Sequence, residues 1–319
     1  MTILVTGAAG FIGSHTVDRL LADGYAVVGL DNLRTGKMEN LAGALLSPRF
    51  RFEKADITEE KALDAAVEAA RPSAIIHLAA LVSVQESIRN PELNQLLNVT
   101  ATERVIATAR RHAVPRIVFA SSAAVYGDPA ELPLKETSPT RPISPYGEAK
   151  LHSEALLHAA ADEGGPSAIC LRYFNVYGPR QDPTSPYSGV ISIFLRQFAA
   201  GEPISIYGDG RQTRDFIHVT DVARANVHAA TQANIVCGAM NICTGRSVSI
   251  NEVLGFVGRG GPSVSPVIYL ASRTGDITHS RGDPGRAIAN LGFASTIGAK
   301  DGLARPFLGD PRLTGRPTG

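Results

Sequence analysis

Short β-branched runs alternate with longer stretches of helical spacing through the first half of the chain. The runs 3–6, 25–31, 50–56, 74–80, 116–122 and 167–175 are rich in Val, Ile, Leu and Phe and read as strands. Between them, 11–23, 59–70, 92–113 and 146–163 show helical periodicity and Ala/Leu/Glu content. Strands alternating with helices make βαβ units, which assemble into a parallel sheet covered on both faces. The predicted fold class is therefore α/β, with a doubly wound parallel sheet. After Gly178 the texture changes: 179–190 holds prolines, Tyr187 and Gly189, the pattern of a loop over a site. A helix over 190–200, a strand over 204–208 and a helix opening near Thr220–Asp221 follow. The last fifty residues or so carry many Gly and Pro with weak periodicity, which predicts a smaller, irregular second lobe.

Composition narrows the function classes. A chain of 319 residues with 44% hydrophobic and 19% charged residues has the make-up of an ordinary globular protein. A formal charge of +1 gives no basic excess to attract nucleic acid or a membrane surface. No apolar run reaches the ~20 residues of a membrane span. The opening MTILVTGAAG enters a strand at once and leaves no room for a signal peptide, so a cytoplasmic chain is expected. Cys170, Cys237 and Cys243 lack metal-ligand spacing and read as reduced core residues; no metal site is expected.

GAAGFIG follows the first strand and opens an amphipathic helix, the setting a dinucleotide-binding turn requires. Gly7 permits the tight turn, Gly10 allows backbone approach to a pyrophosphate, and Gly13 lets helix and strand pack closely. Asp31 ends the second strand about 20 residues later, where a carboxylate can bind a ribose 2′-hydroxyl. Its charge disfavours a 2′-phosphate, so NAD is favoured over NADP. Asp56 and Ile57, ending the third strand, can face the adenine.

Tyr146 and Lys150, four residues apart on a helix, project from one face. A nearby ammonium stabilises a phenolate and so lowers the pKa of a tyrosine. Ser121 and Ser122 end a strand, and ligands in open α/β sheets sit at the carboxyl ends of strands. Ser122 can therefore hydrogen-bond the oxygen that Tyr146 deprotonates.

Together with TGAAGFIGSH (6–15), DNL (31–33), HLAA (77–80), SSAAVYG (121–127), YGEAK (146–150), RYFNVYGPRQDP (172–183), RDFIHVTDVARA (214–225) and RTGDITHS (273–280), these residues resemble the extended short-chain dehydrogenase/reductase family. The likeness is to its sugar-nucleotide epimerases and dehydratases, over roughly the first 290 residues. It implies an NAD-binding domain of Rossmann type over 1–178, with a returning segment about 212–235, and a nucleotide-sugar-binding lobe over 179–319. It also implies a homodimer, with the helices at 92–113 and 146–163 as candidate contacts. By the same resemblance, Phe11, Ile12, Asn32, Leu78, Ala79, Ala80, Asn98 and Tyr173 join the residues above at the cofactor. Asn175, Arg214 and Arg273 fall to a substrate diphosphate, Ser205 and Tyr207 to uracil, and Val190 to the substrate pocket. Ser280 stands where the family sets pocket size, and a small residue there admits a 2-acetamido group.

The activity implied is 4-epimerisation of a UDP-hexose or UDP-N-acetylhexosamine through a 4-keto sugar. Family dehydratases carry an acidic pair where this chain has Ala123 and Ala124. Family enzymes acting on UDP-glucuronate resemble RYFTVYGPRQRP, whereas this chain has Asn175 and Asp182, and Asp182 is expected to repel a carboxylate. Those activities, or a non-catalytic NAD-binding protein, are the alternatives. The match weakens toward the end, where NEVLGFVGRGGPS breaks early, RGD stands at 281–283, and Pro306 interrupts the expected last helix.

Overall fold

Ile3, Leu4 and Val5 are fully buried because the strand they form, β1 (Thr2–Thr6), lies inside the main sheet with helices on either side. The computed structural model describes residues 1–182, 189–233, 237–258, 265–271 and 277–304. After β1 come α1 (Phe11–Ala22), β2 (Ala26–Asp31), β3 (Phe50–Lys54), α2 (Glu60–Ala70) and β4 (Ala74–His77). The strand expected over 74–80 stops at His77, because the Thr6 hydroxyl takes the amides of Leu78 and Ala79, both at 3.2 Å.

The helix expected over 92–113 forms without interruption from Pro91 to Arg111, with a π-helical stretch inside it and a separate short helix ahead of it. Helix α3 (Val84–Arg89) starts at an Oγ cap from Ser83, and α4 (Pro91–Asn94) restarts the chain on Pro91. A π-helical turn, Gln95–Thr100, then leads into α5 (Ala101–Arg111). Asn98 lies within that turn and clamps Leu81, accepting from its N–H at 3.1 Å and donating to its carbonyl at 3.0 Å. A widened turn of this kind often marks a functional region.

The next elements are β5 (Arg116–Ser122), α6 (Pro145–Asp162), β6 (Ser167–Tyr173) and β7 (Asn175–Tyr177). Helix α7 (Val190–Ala199) opens the smaller lobe, followed by β8 (Ile204–Tyr207), β9 (Thr213–Arg214), β10 (Phe216–His218) and α8 (Val219–Thr231). Last come β11 (Gly238–Ile242), β12 (Val248–Ser249), α9 (Ile250–Gly258), β13 (Val267–Leu270), α10 (Gly285–Leu291) and α11 (Ala299–Ala304).

Seven parallel strands form the sheet in the order β11-β6-β5-β4-β1-β2-β3. Val17 and Leu20 of α1 with Val222 and Ala225 of α8 cover one face. Leu63 of α2, Val105 of α5 and Leu157 of α6 cover the other. Each of these Val and Leu side chains, fully buried, contributes roughly 1.5–3 kcal/mol. The seventh strand, β11, lies beyond the 212–235 segment expected to return. A separate apolar core, including Ile191, Phe194, Ile204, Ile206 and Val253, holds the smaller lobe.

Two expectations change. The strand over 167–175 splits at Phe174, and β7 leaves the main sheet to pair with β10. Cys170 and Cys243 are buried, but Cys237 is exposed, because it precedes the positive-φ Gly238 that starts the edge strand. Pro306 and the break after Gly258 lie outside the described residues. No described helix is long and apolar enough to cross a membrane.

Candidate active site

The turn after β1 is a cradle that side chains cannot occupy. Gly7 has φ +69°, and a Cβ there would lie 2.8 Å from the Ala79 amide nitrogen. A Cβ at Gly13 would fall on the Gly7 carbonyl. Helix α1 begins at Gly10 with no side-chain cap and no acidic residue in its first turn, so its amides and positive dipole end stay available to an anion. Phe11 and Ile12 sit half-buried in that turn.

Asp31 closes the second strand over the same turn. One oxygen accepts the Ala9 amide at 2.9 Å, the other the Leu33 amide at 2.8 Å. Burial raises its carboxyl above the usual range, and the two amides oppose that shift. A Cβ on Gly36 would come within 2.9 Å of both carboxylate oxygens, so that glycine keeps the approach open. Asn32 donates to Asp56 at 2.7 Å, and Thr58 occupies the other Asp56 oxygen. Burial would raise the Asp56 carboxyl, but these bonds hold it low. The Ile57 side chain is spent in the core.

Beneath the ends of β1 and β4 lies a buried hydrogen-bond chain. Thr6 Oγ1 lies 2.8 Å from His77 Nδ1, and His77 Nε2 lies 3.3 Å from Thr102 Oγ1, which donates to the Asn98 carbonyl at 2.6 Å. Burial, then the nearby Lys150 ammonium, pushes His77 down to about 3, so it is neutral. The Asn98 amide is consumed by Leu81 and Asn94, which makes it a support for the half-buried Leu78, Ala79 and Ala80 segment.

Ser122, Tyr146 and Lys150 meet at the carboxyl end of β5. Ser144 caps α6 through the Gly147 amide at 3.2 Å, starting the helix just ahead of Tyr146. Ser122 Oγ accepts the Ala124 amide at 3.1 Å and also hydrogen-bonds Tyr146. Lys150 is buried, its Nζ 4.6 Å from the Phe119 ring centre and 5.9 Å from that of Tyr146. Burial pushes Lys150 down to about 7, against the pull of Glu154. The expectation of a lowered phenol is corrected. Tyr146 is raised by burial, which outweighs the Ser122 bond. The Tyr173 hydroxyl is committed to Asn226 at 2.5 Å, behind α1.

In the smaller lobe, β8 turns Ile204 and Ile206 into the core and leaves Ser205 and Tyr207 on the other face. Sequence reasoning missed the residue that gathers the remaining group. Asp215, fully buried, accepts from Thr244 N–H at 2.8 Å and Gly245 N–H at 2.9 Å, and from Gly282 N–H at 3.2 Å. Its own carbonyl takes the Asn175 amide at 3.0 Å. Asp215 thereby brings Asn175, Arg214 and the Ser280 segment together. Arg214 donates to the Thr213 carbonyl at 2.9 Å, and Ser280 is buried, its amide on the same carbonyl at 3.0 Å. Val190 begins α7. Arg273 lies outside the described residues. Asp182 pairs with Lys37 at 2.7 Å, which offsets the charge expected to repel a carboxylate. Among the described residues no cluster of His, Cys, Asp and Glu could hold a metal ion.

Known proteins match this chain along its length. The model of the NAD dependent epimerase/dehydratase family matches residues 3–243. UDP-glucose 4-epimerase of Mycolicibacterium smegmatis is 40% identical over 309 residues, 96% of this chain and 97% of that one. The structure of UDP-N-acetylglucosamine 4-epimerase from Methanobrevibacter ruminantium M1, in complex with UDP-N-acetylmuramic acid, is similar with a TM-score of 0.90. It is 35% identical, over 96% of this chain and 97% of that one. MoeE5 in complex with UDP-glucuronic acid and NAD is similar at a TM-score of 0.84 and 37% identity, over 97% of this chain and 98% of that one.

Proposed function

The chain belongs to the NAD dependent epimerase/dehydratase family, and from that premise we propose that it is an NAD-using 4-epimerase of a UDP-hexose or UDP-N-acetylhexosamine. The observation that carries this reading is the meeting of Ser122, Tyr146 and Lys150 at the carboxyl end of β5, two strands from the glycine turn. The turn fits NAD: the cradle at Gly7 and Gly13 has room only for backbone, the α1 amides suit a pyrophosphate, and Asp31 suits a ribose diol. When bound, NAD supplies the acceptor and donor of the hydride at C4.

The chain's own residues handle protons and position. Tyr146 takes the proton of the sugar 4-hydroxyl and returns it once the 4-keto sugar has presented its other face. Ser122 hydrogen-bonds that oxygen, and the Ala124 amide fixes its Oγ for the task. The Lys150 ammonium stabilises the phenolate that Tyr146 becomes. Asn175, Arg214 and Arg273 hold the diphosphate, Ser205 and Tyr207 the uracil. Ala123 and Ala124 offer no acid for eliminating water, which argues against a dehydratase. The exposed Ile88 and Leu96 beside α4 support a homodimer through this helical face, checked by the mass in solution.

One observation favours a second substrate. Because Lys37 neutralises Asp182, UDP-glucuronate meets less repulsion than the sequence implies. Incubation with UDP-glucose, UDP-N-acetylglucosamine and UDP-glucuronate, without added NAD, tests all three. Conversion of either of the first two to its 4-epimer is expected. Conversion of UDP-glucuronate alone moves the assignment to that sugar, and no conversion of any of them ends the epimerase reading for these substrates.

A further inference from the structure

One turn beyond Lys150 on α6, a carboxylate lies buried behind the catalytic group. Glu154 accepts from Arg172 of β6 twice, Nε to Oε1 at 2.9 Å and a terminal nitrogen to Oε2 at 2.6 Å. Ser121, the residue before Ser122, donates to Oε1 at 2.5 Å. Both ion-pair side chains are almost wholly buried, 6% and 3% exposed. Arg172 also donates to the Tyr126 hydroxyl at 2.9 Å, and Tyr126 to Asn241 of β11 at 2.7 Å. The catalytic helix is thus fixed to three neighbouring strands. Fixation alone does not call for charge, since a buried ion pair is often no more stabilising than apolar side chains of the same volume.

The surroundings of Lys150 give the charge a use. Its own helix presents Tyr146 and Glu154. Strand β4 presents His77, which is neutral, and β5 the Phe119 ring. Strand β6 presents Cys170, whose thiol burial keeps protonated, and Arg172 beyond Glu154. Glu154 follows Lys150 by four residues on the same face of α6, and its charge opposes the effect of burial on the ammonium.

We propose that Glu154 is a positioning residue for the Tyr146 chemistry: held by Arg172 and Ser121, its carboxylate favours the ammonium form of Lys150, the form that stabilises a Tyr146 phenolate. What the ammonium accomplishes rests on the epimerase reading; whether Glu154 sustains it does not.

Two variants test this, Glu154→Gln and the paired apolar replacement Glu154→Leu/Arg172→Met. Glu154→Gln strands a buried guanidinium and is expected to melt several degrees low, whereas the double variant removes both charges and recovers most of that loss. The Lys150 charge is followed by the Cε resonance of labelled lysine, assigned with Lys150→Arg. In either folded variant its titration midpoint should fall by about one pH unit, the low end of what a neighbouring charge imposes. At pH 7 kcat should drop about fivefold in the double variant, as the ammonium share falls from about a half to about a tenth, with KM for the UDP-sugar and the bound NAD unchanged. An unmoved midpoint, or kcat recovering together with the melting temperature, overturns the proposal. If neither variant folds, the pair serves the fold and the proposal also fails. If the unaltered protein converts no UDP-sugar, the epimerase reading fails, and the resonance still decides the role of Glu154.

Discussion

Substituting Gly13 by alanine tests whether the cradle works by excluding side chains. The new Cβ would fall on the Gly7 carbonyl and 2.8 Å from its carbon, and the obstacle is backbone that cannot rotate away. Overpacking of this kind costs about 1–3 kcal/mol, and backbone contact places it at the upper end. Alanine returns about 1 kcal/mol as a better helix former, leaving a net loss of about 2 kcal/mol. For a chain this long, with an unfolding entropy of roughly 2 cal/mol/K per residue, that is a fall of about 3 °C in melting temperature. The displaced turn also moves the amides offered to the pyrophosphate, so NAD affinity should drop at least about tenfold, or about 1.4 kcal/mol. Gly255 provides the contrast: it is exposed on α9, with nothing within 4 Å of its Cβ position. Gly255→Ala should raise stability by up to about 1 kcal/mol and leave NAD untouched. Calorimetry gives the melting temperatures, and titration of the NAD-stripped protein gives the affinities. Unaltered NAD affinity and melting in Gly13→Ala, with the expected gain in Gly255→Ala, would refute the steric argument.

Three further outcomes are expected. Tyr146→Phe removes the proton acceptor and should lower kcat by about 10²–10⁴-fold with NAD content unchanged; a fall under tenfold would reassign the base. His77 lies at about 3 in the fold against an ordinary 6.5, so between those values only the unfolded chain binds the proton. Its contribution is present above pH 6.5 and lost on acidification, at about 1.4 kcal/mol per pH unit. His77→Gln should flatten the dependence of urea stability on pH between 6 and 4 by that amount; equal slopes would contradict a buried neutral histidine. Ser280→Tyr should abolish turnover of UDP-N-acetylhexosamine while UDP-glucose turnover continues, and parallel loss of both would remove Ser280 as a size gate.

The main sheet was legible because its strands are short apolar runs between amphipathic helices. The 3–6 run proved to be a fully buried interior strand of the sheet, and the helix expected over 146–163 formed at Pro145–Asp162. The helix over 92–113 was legible, but its π-helical stretch was not, because periodicity does not register where an amide such as Asn98 is called away to Leu81. Strand β11 was not anticipated because GAMNI holds a polar Asn241 that its distant partners, the Tyr126 hydroxyl and the Leu134 carbonyl, explain. The glycine turn could be read because steric need leaves a mark at fixed spacing. Glu154 and Asp215 could not, because a buried carboxylate is defined by donors far away in the chain. Spacing did hold one hint, since Glu154 follows Lys150 by four residues on one helical face.

The place of β11 in the sheet also bears on how the chain is made. Strand β6 is buried along its whole length, yet the neighbour that covers its edge begins only at Gly238. At ribosomal speeds of 5–20 residues per second, the intervening stretch of about 65 residues takes roughly 3–13 s to emerge. Throughout that interval the nascent sheet presents an open, apolar edge, a template for pairing with another chain. A message cut short after Thr231 would leave this edge permanently bare, so shortened products of this gene should be found in aggregates or bound to chaperones.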